Sequence, residues 1–532
     1  MKWKIYSLSR EETEYMRKNL KTKTAGYYSC ILLALSLFLS IKLQSVFGIL
    51  GSLLFFIEIF SKESRLNFIK KLDKKILYGM LVFVVTPYII ATINGGIGTR
   101  LDMDDYAKFL LFFPLSFFLN TGEKIFNFLK AILTSATISL LITLGIFVKD
   151  YNLWKNPQGF VYDRIYFELP TQDFANIMSM ILLFLISFIC FYKIEDKNKN
   201  LKIKILLSSL AILDIFILLV NRSKMVYICL IPTIMYVLWK KNKKYVISFL
   251  VACFGGYFIL PKSISDRLKY IVQYKKDPSS HLRVIFWDGA IKMIQKSPIL
   301  GMQSKQRWNL TREYYKQKGV YEYVIQFYPN FERMRNGLDT HNMYLQYFAY
   351  FGIGFLSLIV FFFIIIPSRL MKMSFYKTKI NDSKFSKYVA FEIALKASYF
   401  CYLIQGITEI NLNNQSMIIA FTMLVCMINY MVKDKECILE NKIEKIDLDR
   451  NMMLENISVD LSKLEKEISL NDVKNLDSYI FLDKGKNLKI VTNDSLKTAK
   501  LINEIERLPL KVKKLNINNG CLLYTSPSPR DS

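Results

Sequence analysis

The chain has 532 residues, of which 52% are hydrophobic and 14% aromatic, and it carries a formal net charge of +28. Apolar runs of ~20 residues at that composition exclude a soluble globular protein. The lysines and arginines are spread over many separate loops, which excludes a nucleic-acid-binding patch gathered on one domain.

In chain order, residues 1–24 are polar and charged, unlike a signal peptide, so the first apolar helix is read as the insertion signal. Hydropathy in windows of about 19 residues then predicts about twelve membrane spans. They lie at 25–42, 43–60, 76–93, 106–120, 131–148, 174–192, 203–220, 223–239, 244–261, 343–367, 388–408 and 414–432. The fold class expected is all-α, a polytopic membrane protein. Basic residues crowd the N-terminus, Ser61 to Lys75, Lys193 to Lys204, the KKNKK run at 240–244, and Arg369 to Lys387. The loop from Asn94 to Asp105 has only Arg100, and Glu409 to Asn413 has no basic residue. An excess of Lys and Arg marks the cytoplasmic side, so both termini and the even-numbered connections are expected in the cytoplasm of a multi-pass plasma (inner) membrane protein.

After nine spans, residues 262–342 fall outside as a large extracytoplasmic loop. Its many aromatic residues, among them Trp287, Trp308, Tyr315 and Phe327, favour an ordered loop. Leu282, Ile285, Phe286, Met293 and Ile294 recur at helical spacing and predict an amphipathic helix over 281–296, stopped by Pro298 and Gly301. Residues 433–520 read as a cytoplasmic tail, with a helical stripe of Leu461, Leu464 and Ile468 and a strand-like Leu488 to Val491. Residues 521–532, CLLYTSPSPRDS, look like translated adapter sequence and are expected to be non-native. Six of the eight cysteines fall within spans and none in the large loop, so no disulfide framework is expected.

Few residues on this chain suit proton or phosphate chemistry at a membrane surface. His341, one of two histidines, stands just before the tenth span, where an imidazole can take a proton from an attacking hydroxyl or simply cap the helix. Arg222 sits in the tight Asn221-Arg222-Ser223-Lys224 turn between two spans, suited to bidentate phosphate binding or to snorkelling among headgroups. Arg283 lies on the amphipathic helix. Asp214, inside the seventh span, is expected to face the bundle interior and be paired or protonated, with Lys396 and Glu392 as possible partners. Asp102 and Asp104 form a DxD pair that an ordinary acidic loop also explains, and Glu409 reads as an exposed loop carboxylate able to contact sugar.

Arg283, Trp287, Ala290, Met293, Pro298 and Gly301, followed by His341, Asn342, Tyr344, Leu345, Gly352 and Gly354, together with Arg222-Ser223, carry a resemblance. Over residues 25–432 the chain is similar to the O-antigen ligase and polysaccharide polymerase (Wzy-type) family of multi-pass membrane glycosyltransferases. The resemblance implies a GT-C-like architecture and glycan transfer from an undecaprenyl-diphosphate donor to an acceptor glycan or lipid on the outer face. The route implied is inverting and independent of metal or other cofactor. Arg222 and Arg283 would hold the diphosphate, with Arg164 a third candidate, and His341 would orient or activate the acceptor. Two positions depart from the family pattern: Met302-Gln303 stands where a second glycine is common, and Gln172-Asp173 replaces an expected asparagine. The competing class is a flippase or other transporter of lipid-linked oligosaccharides, which calls for charges along a central cavity and two related halves.

Overall fold

The computed structural model describes residues 10–94, 105–155, 165–327, 331, 340–373, 375, 383–433, 479–482, 488–491 and 515–517. Two compact units emerge, Met1–Lys433 and Asp434–Ser532. Arg164, Asp102, Asp104 and the Leu461, Leu464, Ile468 stripe lie outside the described residues.

The described part of the first unit is helical. Its principal helices are α1 (Arg10–Ser36), α2 (Ile41–Ile59), α3 (Lys74–Ile93), α4 (Gly122–Lys149), α5 (Thr171–Phe191), α6 (Lys197–Asn221), α7 (Lys224–Lys241), α8 (Lys243–Ile259), α9 (Lys262–Val272), α10 (Pro278–Lys296), α11 (Ser304–Gln317), α12 (Tyr321–Phe327), α13 (Met343–Phe351) and α14 (Ser383–Gln405), followed by α15 (Gln415–Lys433). Among the described residues, seven helices are long and apolar enough to cross a membrane: α2, α3, α4, α5, α6, the continuous stretch Met343–Lys372, and α15. The remaining expected spans fall on helices that are shorter or that carry charge. The segment at 106–120, for example, holds a helix of only 7 residues, Phe112–Phe118, and α14 bears Lys384, Lys387, Glu392 and Lys396.

Helix signals in the sequence explain where these elements start and stop. Asp73 caps α3 by accepting from the backbone of Lys75 and Ile76, and Asp196 does the same for α6. The outward faces are apolar: Ile247, Val251, Phe254 and Phe258 line one exposed flank of α8, and Ile212 and Ile215 one of α6. Helices that satisfy their own backbone while showing hydrocarbon outward are what a lipid solvent requires. The protein is a multi-pass membrane protein. Its interior is tight, with α5 and α15 mostly enclosed and Phe362, Tyr402 and Phe421 stacked between them and their neighbours.

The segment between α8 and α13 builds a small domain of its own on one end of the bundle. Leu282, Ile285 and Phe286 of α10 pack with Tyr315, Tyr321, Val324 and Phe331, flanked by Trp308, Tyr314, Tyr323 and Phe327. The aromatic richness of this loop is therefore a core, as its composition implied. The amphipathic helix is longer than its periodicity suggested, because Asp277 caps it three residues before the backbone N–H of Ser280.

The described residues of the second unit add three short strands to the helical body. They are β1 (Tyr479–Leu482), β2 (Leu488–Val491) and β3 (Leu515–Ile517), in the order β1-β2-β3. The first pair is antiparallel, with Ile480 opposite Ile490, and the second parallel, with Leu488 beside Leu515. β2 coincides with the strand-like Leu488 to Val491. The apolar and β-branched content of these segments suits strands rather than helix.

Candidate functional site

Four chain segments meet at the end of the bundle that carries the α9 to α12 domain. The first is the turn after α6. Arg222 closes that helix in the left-handed conformation, φ 58°, with its N–H bonded to Leu219 O at 3.2 Å. A residue with a Cβ is costly there, and helices commonly place glycine instead. The Arg222 side chain is 1% exposed. Its Nη2 donates to Trp154 O at 2.9 Å, and its guanidinium lies 4.4 Å from the Trp154 ring. The indole N–H in turn donates to Val220 O at 3.0 Å. Ser223 Oγ bonds Gln172 Oε1 at 2.7 Å, and Lys224 pairs with Asp277.

The second segment is Thr340-His341-Asn342. Asn342 caps α13, its Oδ1 accepting from Tyr344 N and Leu345 N at 3.0 and 2.9 Å. His341 is the other arresting residue, left-handed at φ 49°. Thr340 holds it from below, through Thr340 N to Gln346 Oε1 at 3.0 Å and Thr340 Oγ1 to Asn342 O at 2.9 Å. Trp287 Nε1 donates to His341 O at 3.4 Å, and the imidazole lies flat against Phe286 with ring centres 6.1 Å apart. The ring is thereby aimed, and its side chain keeps 29% exposure.

The third and fourth segments are α10 and the loop after α14, and Glu409 joins them. Arg283 Nη2 donates to Glu409 Oε1 at 2.6 Å, while His341 Nδ1 stands 3.9 Å from Glu409 Oε2. One carboxylate therefore spans an arginine and a histidine, one oxygen to each. The loop backbone is locked to α13, because Met343 N donates to both Gly406 O and Glu409 O at 2.8 and 3.1 Å. Beside it, Asp173 in the first turn of α5 accepts from Asn414 Nδ2 at 2.8 Å and feels the Glu409 charge.

Two glycines make the close approach behind this cluster possible. At Gly301, φ 68°, a Cβ would fall 2.2 Å from Tyr350 O, and at Gly352, φ 50°, 2.3 Å from Ile299 O. The two strands of chain are bonded through Met302 N to Ala349 O at 3.1 Å and Ile353 N to Ile299 O at 2.9 Å. Met302 and Gln303, where the sequence departs from the family pattern, fit this close approach: Met302 is buried, its carbonyl accepts from Arg307 Nη1 at 2.9 Å, and Gln303 donates to Asn94 O. The Arg307 guanidinium covers the Tyr350 ring at 3.5 Å.

Residues 207–362 match the O-antigen ligase family. Over that stretch the chain is similar to the O-antigen ligase family. The matched stretch runs from α6 through α13, so it holds Arg222, Arg283 and His341. No curated protein matches the chain.

Of the residues singled out in the sequence, the matched stretch contributes Arg283 and His341 to one cluster, joined by Glu409. Arg222 packs on Trp154, and its turn is tied to the helix of Arg283 through Lys224 and Asp277. Glu409 is not the exposed loop carboxylate expected, being 5% exposed and paired. The sequence signal for it was that it stands in an outer connection without a single lysine or arginine. Asp214 is fully buried as expected, but its expected partners are engaged elsewhere: Lys396 pairs with Glu392 and donates to Met373 O at 2.9 Å. Among the described residues neither Asp214 oxygen has a hydrogen-bond partner.

Proposed function

We propose that this protein transfers or polymerises glycan from an undecaprenyl-diphosphate donor on the outer face of the membrane, in surface polysaccharide assembly. The observation that carries the reading is the Arg283–Glu409–His341 arrangement at the loop-bearing end of the bundle, within and beside the stretch that matches the O-antigen ligase family. The acceptor hydroxyl attacks the anomeric carbon opposite the diphosphate, the bond from that carbon to the phosphate oxygen breaks, and its electron pair leaves on the diphosphate. A single displacement of this kind inverts the anomeric centre.

His341 takes the hydroxyl proton, and Glu409 steadies the imidazolium that forms, the role a carboxylate plays behind a general base. The 3.9 Å separation is one that closes when substrate binds, as catalytic hydrogen bonds commonly do. Arg283 offers its planar set of donors to the departing phosphate, where a fixed cation beside hydrocarbon stabilises charge best. Arg222 joins when its guanidinium exchanges the neutral Trp154 carbonyl for a phosphate oxygen, a charge-assisted bond about twice as strong. Arg164 completes the set of diphosphate ligands.

In this reading residues 25–432 form the transmembrane ligase or polymerase body with about twelve spans, 262–342 face outward, and both termini lie in the cytoplasm. The acceptor is another lipid-linked glycan for a polymerase or a lipid for a ligase, and polymerisation is favoured. The test is the purified full chain in proteoliposomes supplied with lipid-linked donor and acceptor. Release of undecaprenyl diphosphate with glycan lengthening is expected, whereas donor crossing the bilayer unchanged would make the protein a flippase.

A further inference from the structure

The Lys224–Asp277 ion pair is buried, with side-chain exposures of 10% and 1%, and it ties the arginine turn to the helix bearing Arg283. Lys224 follows Arg222 by two residues and opens α7. Asp277 precedes Arg283 by six and caps α10. Asp277 Oδ2 accepts both from Lys224 Nζ and from Ser280 N at 2.8 Å, and Lys224 Nζ reaches Ser280 Oγ at 3.1 Å. The lysine also lies 5.9 Å from the Tyr270 ring.

A buried pair of charges is a poor source of stability, because desolvation cancels much of the attraction and apolar residues of similar size often do as well. It is a good source of register, because each partner accepts few alternatives. Here the register being set is that of two backbone segments whose arginines are otherwise carried on separate elements. Hydrophobic contacts across the same junction would let them slide.

We propose that Lys224 and Asp277 are positioning residues for the transfer reaction, fixing the turn of Arg222 against the helix of Arg283 so that both guanidiniums address one diphosphate. The inference rests on the transfer reading above and adds to it two residues that touch neither donor nor acceptor. Their effect belongs to the donor: loosening the register impairs diphosphate capture and leaves the acceptor side, at His341 and Glu409, as it was.

The test uses the full chain in proteoliposomes and the double variant K224M/D277N. It removes both charges together and keeps a good helix cap, since Asn caps as well as Asp. The KM for the lipid-linked donor is expected to rise on the order of 10- to 100-fold, the scale of an ångström-sized misplacement, while the acceptor KM and the thermal midpoint stay near wild type. K224R, which keeps the charge, is expected to restore the donor KM to within about threefold of wild type, well short of the tenfold that 1.4 kcal/mol represents. A wild-type donor KM in K224M/D277N overturns the inference, as does an equal rise in both KM values, which marks a general structural role. If the double variant does not fold, D277E replaces it: the pair survives but is longer by one methylene, and an unchanged donor KM there also overturns the proposal. A wild-type protein that transfers no glycan sinks the transfer reading instead, an outcome read without any variant.

Discussion

Arg222 and His341 both hold left-handed backbone, and each does so one residue away from a hydrogen-bonding neighbour that fixes it in place. Such conformations cost of order 1–3 kcal/mol for a residue with a Cβ and persist only where surroundings impose them. That two of the three described site candidates are so held is a reason to regard both turns as built for function. Glu409 is the residue through which this can be measured. Glu409→Gln keeps the size and the bond from Arg283 but removes the charge behind His341. We expect kcat to fall on the order of 10- to 10⁴-fold, the upper end being the loss seen when the carboxylate behind a general-base imidazole becomes an amide. The pH profile should shift with it, measured on purified protein from pH 5 to 9. Unchanged kcat and pH profile would leave Glu409 a strut between helices. His341 was legible in the sequence because histidine is so scarce there. Glu409 was legible only as a loop carboxylate, because its partners come from residues 126 and 68 positions away.

Among the elements, the junction of 299–302 with 349–353 is where the sequence was both right and incomplete. Pro298, Gly301, Gly352 and Gly354 were singled out by resemblance, but the close approach of Gly301 to Tyr350 and of Gly352 to Ile299 is a long-range contact that no local pattern encodes. Gly301→Ala places a methyl 2.2 Å from a carbonyl oxygen at φ 68°. The strain should exceed the ~1 kcal/mol of an ordinary Gly-to-Ala misfit, and a drop of several degrees in thermal midpoint is the check; a midpoint at or above wild type would mean the two segments part easily. The ion pair at the start of α10 gives a pH prediction. Burial would raise the Asp277 carboxyl, but the bonds from Lys224 and Ser280 outweigh it and hold the group below its ordinary range. A depressed carboxyl stabilises the fold above its unfolded value of ~3.9 and loses that contribution as pH falls through its folded value. Wild type should therefore lose thermal midpoint on acidification through this window, and K224M/D277N should lose less. Equal acid sensitivity would assign the loss to other carboxylates. Spans such as α3 and α4 were legible from hydropathy alone. The helix at 112–118 is short and α14 carries charge, and hydropathy alone does not distinguish them from the longer apolar helices.

For the whole molecule, the loop charges make a definite topological claim. A single cysteine at 275, in a background with the native cysteines replaced, should react with a membrane-impermeant maleimide in intact cells, and one at 198 should react only after permeabilisation. The reverse pattern would turn the site toward the cytoplasm. The helical body, the ordered α9 to α12 domain and β2 could be read from composition and periodicity, which report burial segment by segment. The three-stranded sheet as a unit could not, because β3 joins β2 across more than 20 residues of chain. The proposed glycan transfer runs through the imidazole beside Glu409. It is tested most directly by supplying lipid-linked donor and acceptor to purified His341→Ala in proteoliposomes and measuring the initial rate of glycan transfer. The rate should fall by about 10²- to 10⁴-fold, the usual contribution of a positioned acid or base, with donor binding retained; transfer at the wild-type rate would contradict the account.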